Sequence, residues 1–509
     1  MSSKIKDLNV VRLFLYLIPL FSIFPFSASA ESIDAKINQL IQPLTDILSA
    51  FIFYSVPLAG TQVPLIVVWL IFAAFFFTFY LGFINLSGFG YAVKVLRGAL
   101  YDDKHDGEIS HFQALTAAMS GTIGVGNMAG VAITVSLGGP GAIFWLIVAG
   151  LVGMTTKFVE CTLGVKYRII NQDGTVSGGP MYYLRDGLAE KGLPRLGKYL
   201  GSFFAVSIVI GCLGAGNMFQ SNQAYVQLLQ VSGGDTSPLV GFGWLVGLAM
   251  AVLVGLIIVG GIKSIANITV RLVPFMVVIY VALALLVLAM NVTAIPAAFA
   301  LIFTSAFTMQ GVSGGFIGIM ILGFQRAAFS NEAGLGSAAI AHSAVQTDEP
   351  LSEGFVALLE PFIDTVVICT LTGLVLVLTL PTEALMGSGM SGIELTSAAF
   401  QENISWAPVP LSFVAMIFAF STMLAWAYYG IKGWTYLFGE SKAKEKTFGL
   451  IFCLFIIVGA SIKLDTVLEF ADAMIFIMAI PNLIGLYILA PDVKKDLTAY
   501  MGKLRVQTG

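Results

Sequence analysis

Charged side chains are scarce in this 509-residue chain: Asp, Glu, Lys and Arg together make up 11% of it, where a soluble globular chain carries about 25%. A water-covered fold of this length would lack the polar surface to cover itself. Histidine occurs three times and cysteine four times. His105, His111 and His342 are too dispersed in sequence to read as a metal cluster. Cys161, Cys212, Cys369 and Cys453 show neither metal-ligand nor redox spacing; all lie in apolar runs and read as buried, inert thiols. Net charge is -3, so no basic field points to nucleic acid. Residues 192–198 (Gly-Leu-Pro-Arg-Leu-Gly-Lys) mimic a phosphate loop, but Tyr199 stands where Ser or Thr is needed and no apolar strand precedes them. No nucleophile–base arrangement is legible, so the chain reads as no enzyme.

What the chain has is apolar length. Hydrophobic residues make up 57%, with 39 Phe, and mean hydropathy is +0.90. Repeated long runs, rather than short alternating segments, predict an all-α polytopic membrane protein and not a barrel. Residues 1–30 read as a signal peptide: Lys4, Lys6 and Arg12 precede an apolar stretch from Leu13 to Phe26, and Ala28-Ser29-Ala30 offers a cleavage site. An uncleaved anchor helix is the competing reading. Residues 31–63 then form an extracytoplasmic segment, with an interfacial helix and a loop.

Eleven spans are predicted, near 64–86, 112–137, 141–166, 200–230, 239–261, 265–290, 297–325, 354–380, 406–437, 447–462 and 466–490. Residues 491–509 form a cytoplasmic tail. With the mature N-terminus outside, loops predicted inside carry most of the basic residues, Lys94, Arg168, Lys263 and Lys442 among them. Loops predicted outside carry only Lys36 and Lys463. That bias supports a cytoplasmic C-terminus and an inner-membrane protein.

Two spans are broken by glycine. The second contains Ser120-Gly121-Thr122-Ile123-Gly124-Val125-Gly126-Asn127, and the seventh contains Gln310-Gly311-Val312-Ser313-Gly314-Gly315-Phe316-Ile317-Gly318. Glycine costs about 1 kcal/mol per helical position relative to alanine, and unwound backbone survives in a bilayer only where protein or a polar cavity covers it. The clusters lie five spans apart. With 64–86 set aside as an accessory helix, 112–290 and 297–490 form two five-helix sets of opposite orientation, the inverted repeat of secondary transporters. Glycine-rich packing faces are the competing reading. A half-helix ending near Ile123 leaves carbonyls for a cation, and one beginning near Gly124–Asn127 presents N–H groups and a positive dipole end to a carboxylate.

The run Arg326-Ala327-Ala328-Phe329-Ser330-Asn331-Glu332-Ala333-Gly334-Leu335-Gly336-Ser337, with Gly138-Gly139-Pro140-Gly141-Ala142-Ile143-Phe144-Trp145 and Gly216-Asn217-Met218-Phe219-Gln220, resembles the alanine or glycine:cation symporter family (the sodium–alanine symporters) from about residue 64 to 490. Departures fall at Leu146-Ile147, Ala327 and Ala339. The resemblance implies a LeuT-type inverted 5+5 core with one extra N-terminal transmembrane helix. It also implies sodium-coupled uptake of a small neutral amino acid, alanine or glycine, by alternating access. Sodium is then the coupling ion, no organic cofactor is needed, and membrane lipid surrounds the chain. A proton-coupled transporter, a channel and a non-transporting receptor are the alternatives. A channel would favour rings of repeated carbonyls or charges, and no sizeable soluble domain supports a receptor.

Substrate would meet the N–H groups of Gly124, Val125 and Gly126 with Asn127 alongside. Gln220 would accept from the ammonium, or else bond a neighbouring helix. Phe316 and Met423 would cap the side-chain pocket, or else simply pack. Sodium would take the carbonyls of Ser120 and Ile123 and the hydroxyls of Ser421 and Thr422; back-bonding to the preceding helical turn is the competing use of those hydroxyls. Glu360 and Asp364 form a cation vestibule or pair with Arg271 or Arg326, the pairing being favoured. Lys157 and Glu160 are expected to snorkel at a helix end, and Glu469 and Asp472 to be solvated. The polar 326–347 segment reads equally as an inner gate or as packing.

Overall fold

Backbone crossing lipid has to satisfy its own N–H and C=O groups, and the apolar runs of this chain do so as helices. The computed structural model describes residues 42–43, 45–58, 61–98, 106–308 and 315–508; the predicted signal peptide lies outside them. Of the segment before the first span, residues 45–52 are helical. A hairpin follows, β1 (Ser55–Leu58) against β2 (Thr61–Pro64), with Ser55 opposite Pro64.

The helices that concern the site are α1 (Leu65–Tyr80), α2 (His111–Thr122), α3 (Ala129–Gly138), α4 (Gly141–Lys166), α5 (Pro194–Val231), α6 (Gly243–Ile258), α7 (Gly261–Met290), α8 (Ile295–Ser305), α9 (Gly315–Asn331), α10 (Pro350–Thr379), α11 (Pro408–Phe438), α12 (Lys442–Ser461), α13 (Leu464–Phe476) and α14 (Ala479–Thr508). Among the described residues, six stretches are long and apolar enough to cross a membrane: α4, α5, α7, α10, α11 and the run Leu464–Leu504. A seventh is added when α2 and α3, bent by 59°, count as one span. Length and apolarity alone thus support six or seven of the eleven predicted crossings. α1 and α6 are apolar but shorter, and α12 opens on Lys442, Lys444, Glu445 and Lys446.

The predicted tail, 491–509, continues as helix to Thr508. Asp492 and Asp496 on it pair with Lys191 and Lys166, each within 2.7 Å. These half-exposed pairs tie α14 to the end of α4 and to the turn before α5. Of the second glycine cluster, residues 310–314 lie outside the described residues; α8 ends at Ser305 and α9 begins at Gly315, which has φ +67°.

Packing centres on two helices. α4 is covered by α1, α9, the start of α10 and the short helix Ala338–His342. α11 lies against α2, α5, α7 and α12. Glycine permits the closest of these approaches: a Cβ on Gly216 of α5 would stand 2.0 Å from the Trp426 ring of α11. Both α5 and α10 carry a widened π-turn, at Gly214–Met218 and Phe362–Cys369. Such turns free backbone groups and collect at functional sites.

Candidate functional site

The break between α2 and α3 is the centre of the site. α2 starts firmly: Ser110 and Gln113 form a reciprocal capping box, with bonds of 3.3 and 3.0 Å. It stops where Ile123 turns extended (ψ 92°) and Gly124 stays extended (φ -135°, ψ -162°). Val125–Asn127 then makes one tight turn before α3. The Asn127 N–H bonds the Gly124 carbonyl at 3.2 Å, so the Ile123 carbonyl has lost its partner one helical turn on. The Gly124 N–H is taken by Asn127 Oδ1 at 2.9 Å and the Val125 N–H by Gln220 Oε1 at 3.0 Å. Two side-chain oxygens therefore occupy donors of the kind a carboxylate seeks at a helix start.

Three helices converge on Gly124. A Cβ there would lie 2.5 Å from Thr422 Oγ1 of α11 and 3.0 Å from Gln220 Oε1 of α5. Thr422 is buried, and its hydroxyl has no hydrogen-bond partner. An unpaired hydroxyl in a dry core costs about 1–3 kcal/mol, which makes this oxygen a candidate ligand. Trp426 Nε1 donates to the Gly121 carbonyl at 3.2 Å. On the other side, Asn127 Nδ2 donates to Asp364 Oδ1 of α10 at 2.6 Å, and Ser330 Oγ donates to Asp364 Oδ2 at 2.8 Å. Thr372 donates to the Asn127 carbonyl at 2.8 Å, and Thr396 to that of Met128 at 3.0 Å.

The structure thus brings together Ile123, Gly124, Val125, Asn127, Gln220 and Thr422. Gly126 faces Phe329, whose ring would stand 3.9 Å from a Cβ there and meets Phe219 edge-on at 5.3 Å. Ser120 Oγ bonds back to the Ala117 carbonyl at 2.7 Å, leaving only its own carbonyl for a ligand. Ser421 donates to the Phe418 carbonyl at 3.0 Å and lies 3.5 Å from Met276 Sδ. Met423 is buried on α11. Phe316 stands with Trp145 (5.4 Å) and Phe307 (5.9 Å) between α4, α8 and α9. Asp364, Ser330, Thr372 and Phe329 carried no signal of contact with the break, because they reach it from other helices.

The buried charges differ from expectation. Glu360 pairs with Lys157 and His342, each at 3.4 Å, and with neither arginine. Asp364 meets neutral donors only, and Arg271 is exposed. Arg326 pairs with Asp472, so Asp472 is buried while Glu469 stays in the open. Lys157 and Glu160 do not snorkel: both are fully buried, because the cover over α4 extends past its end. His111 and His342 both bond Glu353. Among the described residues no group of His, Cys, Asp and Glu could hold a metal ion.

A family model described as the sodium:alanine symporter family matches residues 49–508. The chain is 41% identical over 439 residues to the sodium/alanine symporter AgcS of Methanococcus maripaludis, covering 86% of this chain and 94% of that one. It is 34% identical to a probable sodium/glutamine symporter, GlnT, of Bacillus subtilis, covering 86% and 87%. Among solved structures, MhsT in complex with L-phenylalanine superposes with a TM-score of 0.54 at 16% identity, over 78% of this chain and 99% of that one. That likeness shows a LeuT-type fold.

Proposed function

The chain belongs to the sodium:alanine symporter family, and we propose that it takes a small neutral amino acid, alanine or glycine, into the cell together with sodium. It is a membrane transporter and not an enzyme. The observation that carries the finer reading is the extended Ile123–Gly124 backbone beside the buried, unpaired Thr422 hydroxyl. Sodium, a hard cation that prefers oxygen, would take the carbonyls of Ser120 and Ile123 and the hydroxyl of Thr422. Ser421 joins by releasing the Phe418 carbonyl.

The substrate carboxylate displaces Asn127 Oδ1 and Gln220 Oε1 from the N–H groups of Gly124 and Val125, with Gly126 next in line. The released Gln220 oxygen accepts from the ammonium. Phe329 and Met423 wall the side-chain space, and a short wall rejects large amino acids by overlap. Sodium bound at the break orders the same backbone that binds the carboxylate, so each ligand raises the other's affinity. One helix set then rocks against the other to open the site inward. The fold is an inverted 5+5 repeat with one accessory helix, eleven crossings in the inner membrane and a cytoplasmic C-terminus.

Thr422→Ala removes one ligand of the ion. Half-maximal alanine uptake should then need roughly tenfold more sodium, about 1.4 kcal/mol of lost binding, with the maximal rate changed less. A sodium dependence matching the wild type would take Thr422 out of the site.

A further inference from the structure

Below the break lies a charged cluster that the transport mechanism does not use. Glu353 of α10 accepts from His342 Nδ1 at 2.5 Å and pairs with His111, the first residue of α2. The other ring nitrogen of His342, Nε2, lies 3.4 Å from Glu360 Oε2, and Lys157 Nζ of α4 lies 3.4 Å from Glu360 Oε1. None of these five side chains is more than 3% exposed.

Several elements packed around them add ionisable groups. α4 adds Glu160 and Cys161, and the turn after α9 adds Glu332. α11 adds the Tyr429 hydroxyl, and one turn further along α10 is Asp364. Beyond α4, Arg168 is spent on the carbonyls of Ser343, Val345 and Thr347. From α14 only the neutral Asn482 enters, donating to Glu160 at 2.7 Å.

One ammonium and two imidazoles face the four carboxylates of Glu160, Glu332, Glu353 and Glu360. Even with both rings protonated one negative charge is unmatched, and a dry interior does not hold unmatched charge. The space is under-bonded as well: Lys157 Nζ, both oxygens of Glu360, His342 Nε2 and His111 Nε2 have no hydrogen-bond partner. Among the described residues no group of His, Cys, Asp and Glu could hold a metal ion, and a proton on one carboxylate restores the balance.

We propose that the His111–Glu353–His342–Glu360–Lys157 cluster is a proton-binding site, filled from the side at which α2 begins, and that its proton holds α2 against α10. This rests on the transport reading above for its role in the cycle. His111, the first residue of α2, is the member of the cluster at that end. With the proton in place, Glu353 clamps His111 of α2 to the Ala338–His342 helix. When the cluster loses its proton, its carboxylates outnumber its cations and the clamp loosens. α2 is then free to swing about Ile123–Gly124, so acid on this side slows inward opening.

The full chain in nanodiscs tests this by hydrogen–deuterium exchange over 111–122, corrected for the intrinsic pH dependence, at pH 6 and pH 9. Protection of α2 should fall roughly tenfold at pH 9, within the range of ordinary coupling energies, and His342→Gln should remove that difference. If His342→Gln fails to fold, His111→Gln at the rim is the second variant. Equal protection at both pH values in the wild type, or an unchanged difference in the folded variant, overturns the proposal. Uptake into proteoliposomes, with pH varied on each side in turn, separates the two readings. Accumulation without the one-sided pH effect sinks the proton site alone. Where accumulation is absent at every pH the transport reading fails, and the exchange result still decides the site.

Discussion

Gly124→Ala is expected to abolish most sodium-dependent uptake while leaving the protein folded. The backbone of Gly124 lies at φ -135°, where alanine is unstrained, so the effect is confined to what the new methyl meets. It meets Thr422 Oγ1 at 2.5 Å and Gln220 Oε1 at 3.0 Å. Gln220 can move, but the β-branched Thr422 has little rotamer freedom in a helix. Overpacking of this kind costs about 1–3 kcal/mol. Here the cost falls on the ion and carboxylate positions, so uptake at subsaturating sodium should drop roughly 10- to 100-fold. Thermal unfolding in detergent checks that the protein is intact. Wild-type sodium and alanine dependence in this variant would mean that the substrate and ion bind elsewhere.

Lys157→Met is expected to act on stability instead. Its ammonium is the only fixed positive charge described in the carboxylate cluster around Glu360. Removing one member of a buried pair leaves the other charge stranded, at about 3–5 kcal/mol. The variant should give little folded protein, with a clearly lower thermal midpoint. Adding Glu360→Leu should restore part of the loss, since an apolar pair replaces a buried ionic one at little cost. A single variant that melts with the wild type would show that the cluster takes up a proton to replace the lost charge at no penalty.

Local pattern carried the sequence reading where pattern determines structure. α4 spans the predicted residues 141–166 because an apolar run between Pro140 and Tyr167 has clear ends. The first break follows from its glycines, while Gln220 accepts from the Val125 N–H there, the bond to a neighbouring helix that was its competing use. The hydrophobicity of a span says nothing about what will cover its end, so Lys157 and Glu160 read as snorkelling although neighbouring segments bury them. His111 and His342 looked dispersed because they lie 242 and 11 residues from Glu353; only tertiary packing joins them. Asp364 was visible as a costly charge, but its bond to Asn127 depends on how α10 lies across the break.

The central claim is that sodium at the α2–α3 break drives entry of a small amino acid. Its most direct test is uptake of labelled alanine and glycine into proteoliposomes, with and without an inward sodium gradient. The account predicts accumulation above equilibrium only with the gradient, competed by unlabelled alanine and lost in Gly124→Ala. Accumulation that ignores sodium, or equilibration without accumulation in vesicles holding folded protein, would contradict it.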